Sequence, residues 1–187
     1  MTLLICGILL FAVVHFIPSF APSFRASAFQ RMGEGGYKGV FSGLLLSAFA
    51  LIIVGWRNAQ PTSLYLPPEA LHKLAIGLLV LAFLLMAVSA RNSRLRLLVR
   101  HPQLTGVALW GISHLLLNGD SRSVALFGGM TVWALIEIVA ISKREGVWIK
   151  SDVPSWAAEG VTVLIAAVTV GVIVLLHPWL SGVPVSW

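Results

Sequence analysis

Residues 100–120 have the sequence RHPQLTGVALWGISHLLLNGD, in which Arg100 and His101 precede a run of mainly apolar side chains. The run extends from residue 102 to residue 117, and the Asn-Gly-Asp that follows predicts a tight turn, after which Asp120 or Ser121 can cap the next helix. One titratable side chain, His114, lies well inside the run. A histidine is costly to hold at the depth of a bilayer, so His114 is a candidate functional residue if this run spans a membrane.

The composition favours a membrane protein over a soluble domain. Of the 187 residues, 58% are hydrophobic and 11% are charged, with a mean hydropathy of +0.91, whereas soluble domains are about one quarter charged. We therefore predict one integral membrane domain over residues 1–187. The net charge of +6 does not indicate a nucleic-acid partner, because the basic residues lie in short loops between apolar runs. With Cys6 as the single cysteine, the chain can form no intramolecular disulfide, no CxxCH haem attachment and no cysteine-based zinc site.

Apolar segments near membrane-spanning length recur along the whole chain. We predict spans at residues 2–19, 39–56, 71–90, 102–117, 121–142 and 159–176, since ~20 residues are needed to cross ~30 Å of hydrocarbon. The first segment lacks the basic start and the small-residue cleavage site of a signal peptide, so we expect a retained helix. The predicted fold class is all-α, a polytopic membrane bundle of about six transmembrane helices.

The distribution of basic residues predicts an orientation. Ten of the 13 Lys and Arg residues lie in the loops after the first, third and fifth spans, and Arg57, Lys73 and Arg122 lie on the other side. The positive-inside rule places the ten in the cytoplasm and both termini in the periplasm, which indicates a bacterial inner membrane. The C-terminal tail, HPWLSGVPVSW, has no basic residue, and its tryptophans suit the outer interface.

Three titratable side chains are predicted inside the spans: His15, His114 and Glu137. His72, His101 and His177 fall at span ends, where the sequence assigns them no role. At ~1.5 Å rise per residue, His15 lies roughly 8–12 Å and His114 roughly 16 Å from the cytoplasmic edge. These two histidines are therefore the pair on different helices that both lie within the membrane.

Two opposed imidazoles from different helices can ligate a haem iron. Small and aromatic residues share a helical stripe with each histidine, Gly7 and Phe11 with His15, and Trp110 and Gly111 with His114. Small residues let a helix or a flat macrocycle approach closely. In the alternative interpretation, the two histidines form hydrogen bonds across helices and the glycines serve helix packing.

Other polar groups support more than one interpretation. Glu137 is expected either to orient a ligand histidine through its second ring nitrogen, or to reach the interface and pair with Lys143 or Arg144. The four arginines from Arg91 to Arg100 either hold propionates or lipid headgroups, or only set topology. GEGGYKG, at residues 33–39, lacks the GK[ST] of a P-loop and predicts a turn. There is no Ser-His-Asp order, HExxH or paired-carboxylate motif, so hydrolase chemistry has no support.

Three segments resemble the NnrU family: HPQLTGVALWGISHLLLNGD, HFIPSF in the first span and GEGGYKGVFSGLLL entering the second. The resemblance covers most of the chain to Arg144, and the family also includes the 15-cis-zeta-carotene isomerase. It implies a polytopic membrane protein that binds haem b, with His15 and His114 in the positions of the isomerase branch's two ligand histidines. It further implies a redox or accessory role in nitrogen-oxide metabolism (denitrification) or, alternatively, haem-dependent cis–trans isomerisation of a carotenoid. Whether the protein is an enzyme stays open. The expected partners are the lipid bilayer and, for an isomerase, a hydrophobic polyene.

Overall fold

The computed structural model describes residues 1–150 and 152–183, which form helices joined by short connections. The long helices are α1 (Thr2–Phe20), α2 (Pro22–Asn58), α3 (His72–Ser89), α4 (Pro102–Leu117), α5 (Ser121–Glu145) and α6 (Trp156–Ser181). Two 3-10 turns, Glu69–Leu71 and Arg94–Leu97, stand before and after α3. The all-α prediction is confirmed. Trp187, one of the tail tryptophans assigned to the outer interface, lies outside the described residues.

Five of these helices, all except α4, are long and apolar enough to cross a membrane, with mean hydropathies of 2.1 to 2.4. With 16 residues, α4 begins and ends at the predicted positions but is short for a full crossing. Large apolar side chains point outward from the spanning helices, as Leu9, Val13 and Leu46 do. Exposed apolar surface of this kind marks a lipid-facing wall rather than a water-facing one.

The chain divides into two compact units, Met1–Pro61 and Thr62–Trp187. In the first unit α1 packs along α2, with Leu4 and Ala48 fully buried at the contact. Glycines permit the close approach. A methyl group added to Gly7 would lie 2.8 Å from Ile52 and 2.9 Å from the carbonyl oxygen of Ala48. Gly7 is therefore a helix-packing residue, the role that the alternative interpretation gave to the glycines.

Helix α2 has two parts that meet at Gly33, whose φ of 70° lies outside the helical range. The part before Gly33 begins with Pro22 at the first helical turn and carries Arg25 and Arg31. The prediction of a turn over residues 33–39 is therefore wrong beyond Gly33 itself, because the backbone from residue 34 onward is helical. The second spanning helix starts about one and a half turns earlier than the predicted residue 39.

Gly55 provides a direct test of the α1–α2 contact. A methyl group there would overlap the backbone nitrogen of Leu4 and lie 2.6 Å from its Cα. Backbone atoms cannot rotate away, so we expect Gly55→Ala to lower the free energy of unfolding by about 1–3 kcal/mol. Gly43→Ala is the matched control, because it lies in the same helix with nothing within 4 Å of the added methyl. Equal melting temperatures of the two variants in detergent would contradict this packing.

In the second unit α4 lies between α3 and α5, and α6 packs against α3. Gly106 allows α4 to approach α3, since an added methyl would lie 2.7 Å from the Ala82 carbonyl oxygen. A π-helical turn, Val124–Gly128, interrupts α5 near its start. Such turns are frequent at functional sites because they redirect side chains without breaking a helix.

The connection from α4 to α5 is tied to the loop that precedes α3. Backbone N–H groups of Leu64 and Tyr65 donate to the carbonyl oxygen of Gly119 at 2.8 and 3.1 Å. The Asp120 carboxylate caps α5, as the sequence predicts, by accepting from the N–H groups of Arg122 (2.9 Å) and Ser123 (3.1 Å). Residues 118 and 120 are extended, so this connection differs from the predicted tight turn.

Candidate cofactor-binding site

His114 lies in the last turn of α4, where its imidazole has a fixed hydrogen-bonding partner. Its Nδ1 is 2.8 Å from the carbonyl oxygen of Trp110, one turn earlier. A carbonyl oxygen can only accept, so Nδ1 carries the proton. In the neutral ring Nε2 then holds the lone pair, which is the form that binds a metal.

Aromatic rings enclose the His114 imidazole. The Phe127 ring stacks on it, with centroids 4.2 Å apart and 20° between the planes, and the Trp110 ring lies 5.0 Å away. Phe127 belongs to the π-helical turn of α5, and its own ring meets Trp110 edge-on at 4.9 Å. The π-helical turn therefore supplies the ring that orients the imidazole of His114.

Gly111, which the sequence placed on the stripe of His114, faces α5. A methyl group there would overlap Oγ1 of Thr131 and lie 2.7 Å from the Phe127 carbonyl oxygen. The space beside Gly111 is thus filled by protein, which fits the helix-packing interpretation of this glycine. The close contact that Gly111 permits brings Phe127 to His114.

His15 in α1 repeats the arrangement of His114. Its Nδ1 is 2.9 Å from the carbonyl oxygen of Phe11, one turn earlier, so Nδ1 again donates and Nε2 holds the lone pair. The rings of Phe11 and Phe41 lie 4.2 and 5.7 Å from its centroid. Both histidines are half-buried, with one in each compact unit.

His101 and His177 form hydrogen bonds that the sequence did not predict. His101 precedes α4, and its Nε2 is 2.8 Å from the hydroxyl of Ser142 at the far end of α5. His177 lies one turn before the end of α6, where its Nδ1 donates to the carbonyl oxygen of Val183 at 2.9 Å. A pattern of apolar residues cannot reveal such contacts between helices.

Glu137 is 2% exposed on α5, in line with Trp133. Burial to that extent does not fit the interpretation in which the carboxylate reaches the aqueous interface.

The four arginines from Arg91 to Arg100 have hydrogen-bonding partners within the second unit. The guanidinium groups donate to Thr162 from Arg91 (3.0 Å), to the Pro154 carbonyl oxygen from Arg94 (3.2 Å), to the Arg91 carbonyl oxygen from Arg96 (3.3 Å) and to the Gly146 carbonyl oxygen from Arg100 (2.8 Å). These contacts tie the ends of helices together.

The link between His101 and Ser142 predicts a pH-dependent stability. Burial lowers the pKa of the His101 imidazole below its usual 6.5, an effect that Glu145 opposes and Arg100 reinforces. Between the lowered pKa of the folded state and the usual 6.5 of the unfolded chain, the unfolded chain binds more protons than the folded one. The contribution of His101 to stability is therefore complete above pH 6.5 and is lost as the pH falls through the lowered pKa. We expect His101→Gln to flatten the fall in melting temperature between about pH 7.5 and about pH 5.5. Parallel profiles for the two proteins would contradict this assignment.

No group of three or more His, Cys, Asp or Glu side chains within residues 1–150 and 152–183 is arranged to hold a metal ion.

Spanning helices, basic connections and lipid-facing apolar walls define a polytopic all-helical membrane protein. A protein-family model described as NnrU protein matches residues 3–185, and the chain belongs to the NnrU family. No curated protein and no solved structure matches it.

Proposed function

We propose that this NnrU-family protein binds haem b in the membrane and that the imidazoles of His15 and His114 would hold its iron. The observation that carries the proposal is that the imidazoles of His15 and His114 form the same hydrogen bond and therefore have the same tautomer. Each Nδ1 donates to the carbonyl oxygen one turn earlier, at 2.9 and 2.8 Å, so each Nε2 holds a lone pair. Metal-binding histidines characteristically hydrogen-bond in this way through the nitrogen that does not bind the metal.

The available donors fit haem better than a metal held by protein alone. A structural zinc site uses four protein ligands and a catalytic one uses three, and the described residues offer no such group. A porphyrin already fills the equatorial positions of its iron, so one or two imidazoles complete the coordination. His15 and His114 provide that number. Their aromatic neighbours offer the flat apolar surfaces that a macrocycle requires.

When bound, haem b supplies a one-electron redox centre, and the surrounding residues would set its properties. The carbonyl oxygens of Phe11 and Trp110 fix the tautomer of each ligand histidine and raise its basicity. Phe127 holds the ring of His114 by stacking. The apolar rings of Phe11, Phe41 and Trp110 exclude water and so lower the local dielectric constant, which shifts the reduction potential.

For the biological role we propose redox or accessory support of nitrogen-oxide metabolism, as the family resemblance implies. A carotenoid cis–trans isomerase is the second candidate. It is favoured by the aromatic, apolar surroundings of both imidazoles, since a hydrophobic polyene would partition readily beside them.

The first test is an absorption spectrum of the full-length protein, purified in mild detergent from cells supplied with haem precursor. We expect a Soret band and a reduced-minus-oxidised difference spectrum typical of haem b. A folded protein that remains colourless after haem is added would contradict the proposal.

The two roles are separated by expressing the wild-type protein and the His15→Ala variant in cells that accumulate tri-cis-zeta-carotene. An isomerase would convert the central cis bond in the wild type only. Unchanged isomer ratios in a strain where the protein binds haem would exclude the isomerase role and leave the redox role.

A further inference from the structure

A cleft of about 270 Å³ opens in the first unit where the end of α1 meets both parts of α2. Its walls include Pro18, Arg25, Phe29, Tyr37, Lys38 and Phe41. The floor is aromatic, since Tyr37 stacks on Phe29 with centroids 4.4 Å apart and lies 6.1 Å from Phe41. Two basic side chains at an aromatic cleft predict a ligand with an anionic group attached to an apolar body.

Of the two basic side chains at the cleft, Lys38 is paired with a carboxylate and Arg25 forms no such ion pair among the described residues. The Lys38 ammonium forms an exposed ion pair with Glu34 at 2.6 Å. The Arg25 guanidinium lies 5.1 Å from the centroid of Phe29, and residues 22–32 contain no acidic side chain. Arg25 is therefore the main source of positive potential at the cleft, and Lys38 adds to it in part.

Tyr37 adds an independent indication of a ligand. Its hydroxyl is buried and has no hydrogen-bonding partner among the described residues. A buried hydroxyl without a partner costs free energy, and native proteins rarely leave one unpaired. An oxygen atom of a bound ligand would satisfy it.

The surroundings of the cleft identify the kind of ligand. Phe20, the last residue of α1, is 61% exposed. The part of α2 before Gly33 is a basic helix that exposes an aromatic ring, since it carries two arginines and its Phe24 is 60% exposed. Helices of this kind lie in the plane of a membrane interface, with apolar side chains in the lipid. The basic loops place this interface in the cytoplasmic leaflet, where anionic phospholipids are concentrated.

We propose that the cleft binds the headgroup phosphate of an anionic phospholipid. Arg25 and Lys38 contact the phosphate oxygens, and the Tyr37 hydroxyl donates to one of them. Pro18, Phe29 and Phe41 pack against the glycerol and the first part of the acyl chains. The cleft shares Phe41 with the surroundings of His15, but its phosphate contacts come from Arg25, Lys38 and Tyr37, none of which is proposed to hold haem.

The test measures lipid retention by the full-length protein in mild detergent. Phosphatidylglycerol and phosphatidylcholine with identical chains are added in equal amounts, and bound lipid is counted by native mass spectrometry. We expect preferential retention of phosphatidylglycerol, reduced about fivefold in Arg25→Gln, the loss expected for one basic contact near an anionic lipid. Arg31→Gln is the matched control, because it removes the same charge from the same helix at a residue outside the cleft.

Further variants address folding and specificity. Arg25→Lys should keep most of the preference, and Tyr37→Phe, which removes only the hydroxyl, should weaken it without loss of helical content. Equal losses in Arg25→Gln and Arg31→Gln would overturn the proposal by showing diffuse charge attraction. Equal retention of the two lipids would also overturn it. Complete displacement of the lipid by excess inorganic phosphate would show a free-anion site and would contradict lipid recognition.

Discussion

Replacing His114 with alanine is expected to remove or strongly shift the Soret band of the purified protein, and replacing His15 is expected to do the same. Each change deletes one imidazole whose Nε2 lone pair we assign to the iron. The loss of one ligand leaves iron with a single protein bond, which lowers haem retention or opens a coordination position. The measurement is the ratio of haem to protein after size-exclusion chromatography.

His72→Ala is the control for this experiment. His72 begins α3 and lies outside the proposed ligand pair, so its removal should leave the spectrum unchanged. Helical content and melting temperature are compared for all three variants. Retention of a wild-type spectrum in both His15→Ala and His114→Ala would refute the ligand assignment.

The second large effect is expected from Gly111→Ala, which touches neither ligand. The added methyl would overlap Thr131 and lie 2.7 Å from the backbone oxygen of Phe127, so α4 and α5 must separate. Overpacking of this kind costs about 1–3 kcal/mol. Because the same contact brings Phe127 onto His114, we also expect weaker haem binding.

Gly77→Ala is the matched control for Gly111→Ala. Both glycines lie inside helices, so both variants gain the same helix propensity of about 1 kcal/mol, but nothing lies within 4 Å of a methyl at Gly77. The difference between their free energies of unfolding therefore isolates the clash. A Gly111→Ala protein as stable and as rich in haem as Gly77→Ala would contradict the proposed role of the α4–α5 contact.

The sequence predicted the features that depend on hydrophobic runs and on local capping chemistry. Helix α4 spans the expected residues 102–117, because Pro102 suits a first helical position and the Asn-Gly-Asp that follows interrupts the apolar run. Asp120 caps α5 as expected, since a short carboxylate there reaches the free N–H groups of the next turn. Both features arise from residues close together in the chain.

The predictions failed or were missing where tertiary contacts outweigh local composition. The glycine-rich segment 33–39 is helical after Gly33, where the Glu34–Lys38 ion pair and the ring contacts of Tyr37 offset the weak helix propensity of glycine. Residues 22–32 form a helix, but they mix apolar with polar and basic side chains, so no apolar run indicates it. The tautomers of His15 and His114 were equally hidden, since they depend on contacts to carbonyl oxygens.

The π-helical turn at Val124–Gly128 and the stacking of Phe127 on His114 had no indication in the sequence. An extra residue in a helical turn leaves the hydrophobic content unchanged, and ring stacking joins residues 13 positions apart. Only the position of His114 in an apolar run pointed to this region. His114 was informative because a titratable side chain is costly to bury in a bilayer and is therefore rare there.

Electron paramagnetic resonance of the oxidised protein tests the central claim most directly. If His15 and His114 both ligate one haem iron, the wild type gives a low-spin ferric signal, because two imidazoles provide a strong axial field. Each single alanine variant should then convert the retained haem to a high-spin signal that added imidazole reverses. A low-spin signal that persists unchanged in both variants would contradict the claim that these two histidines are the ligands.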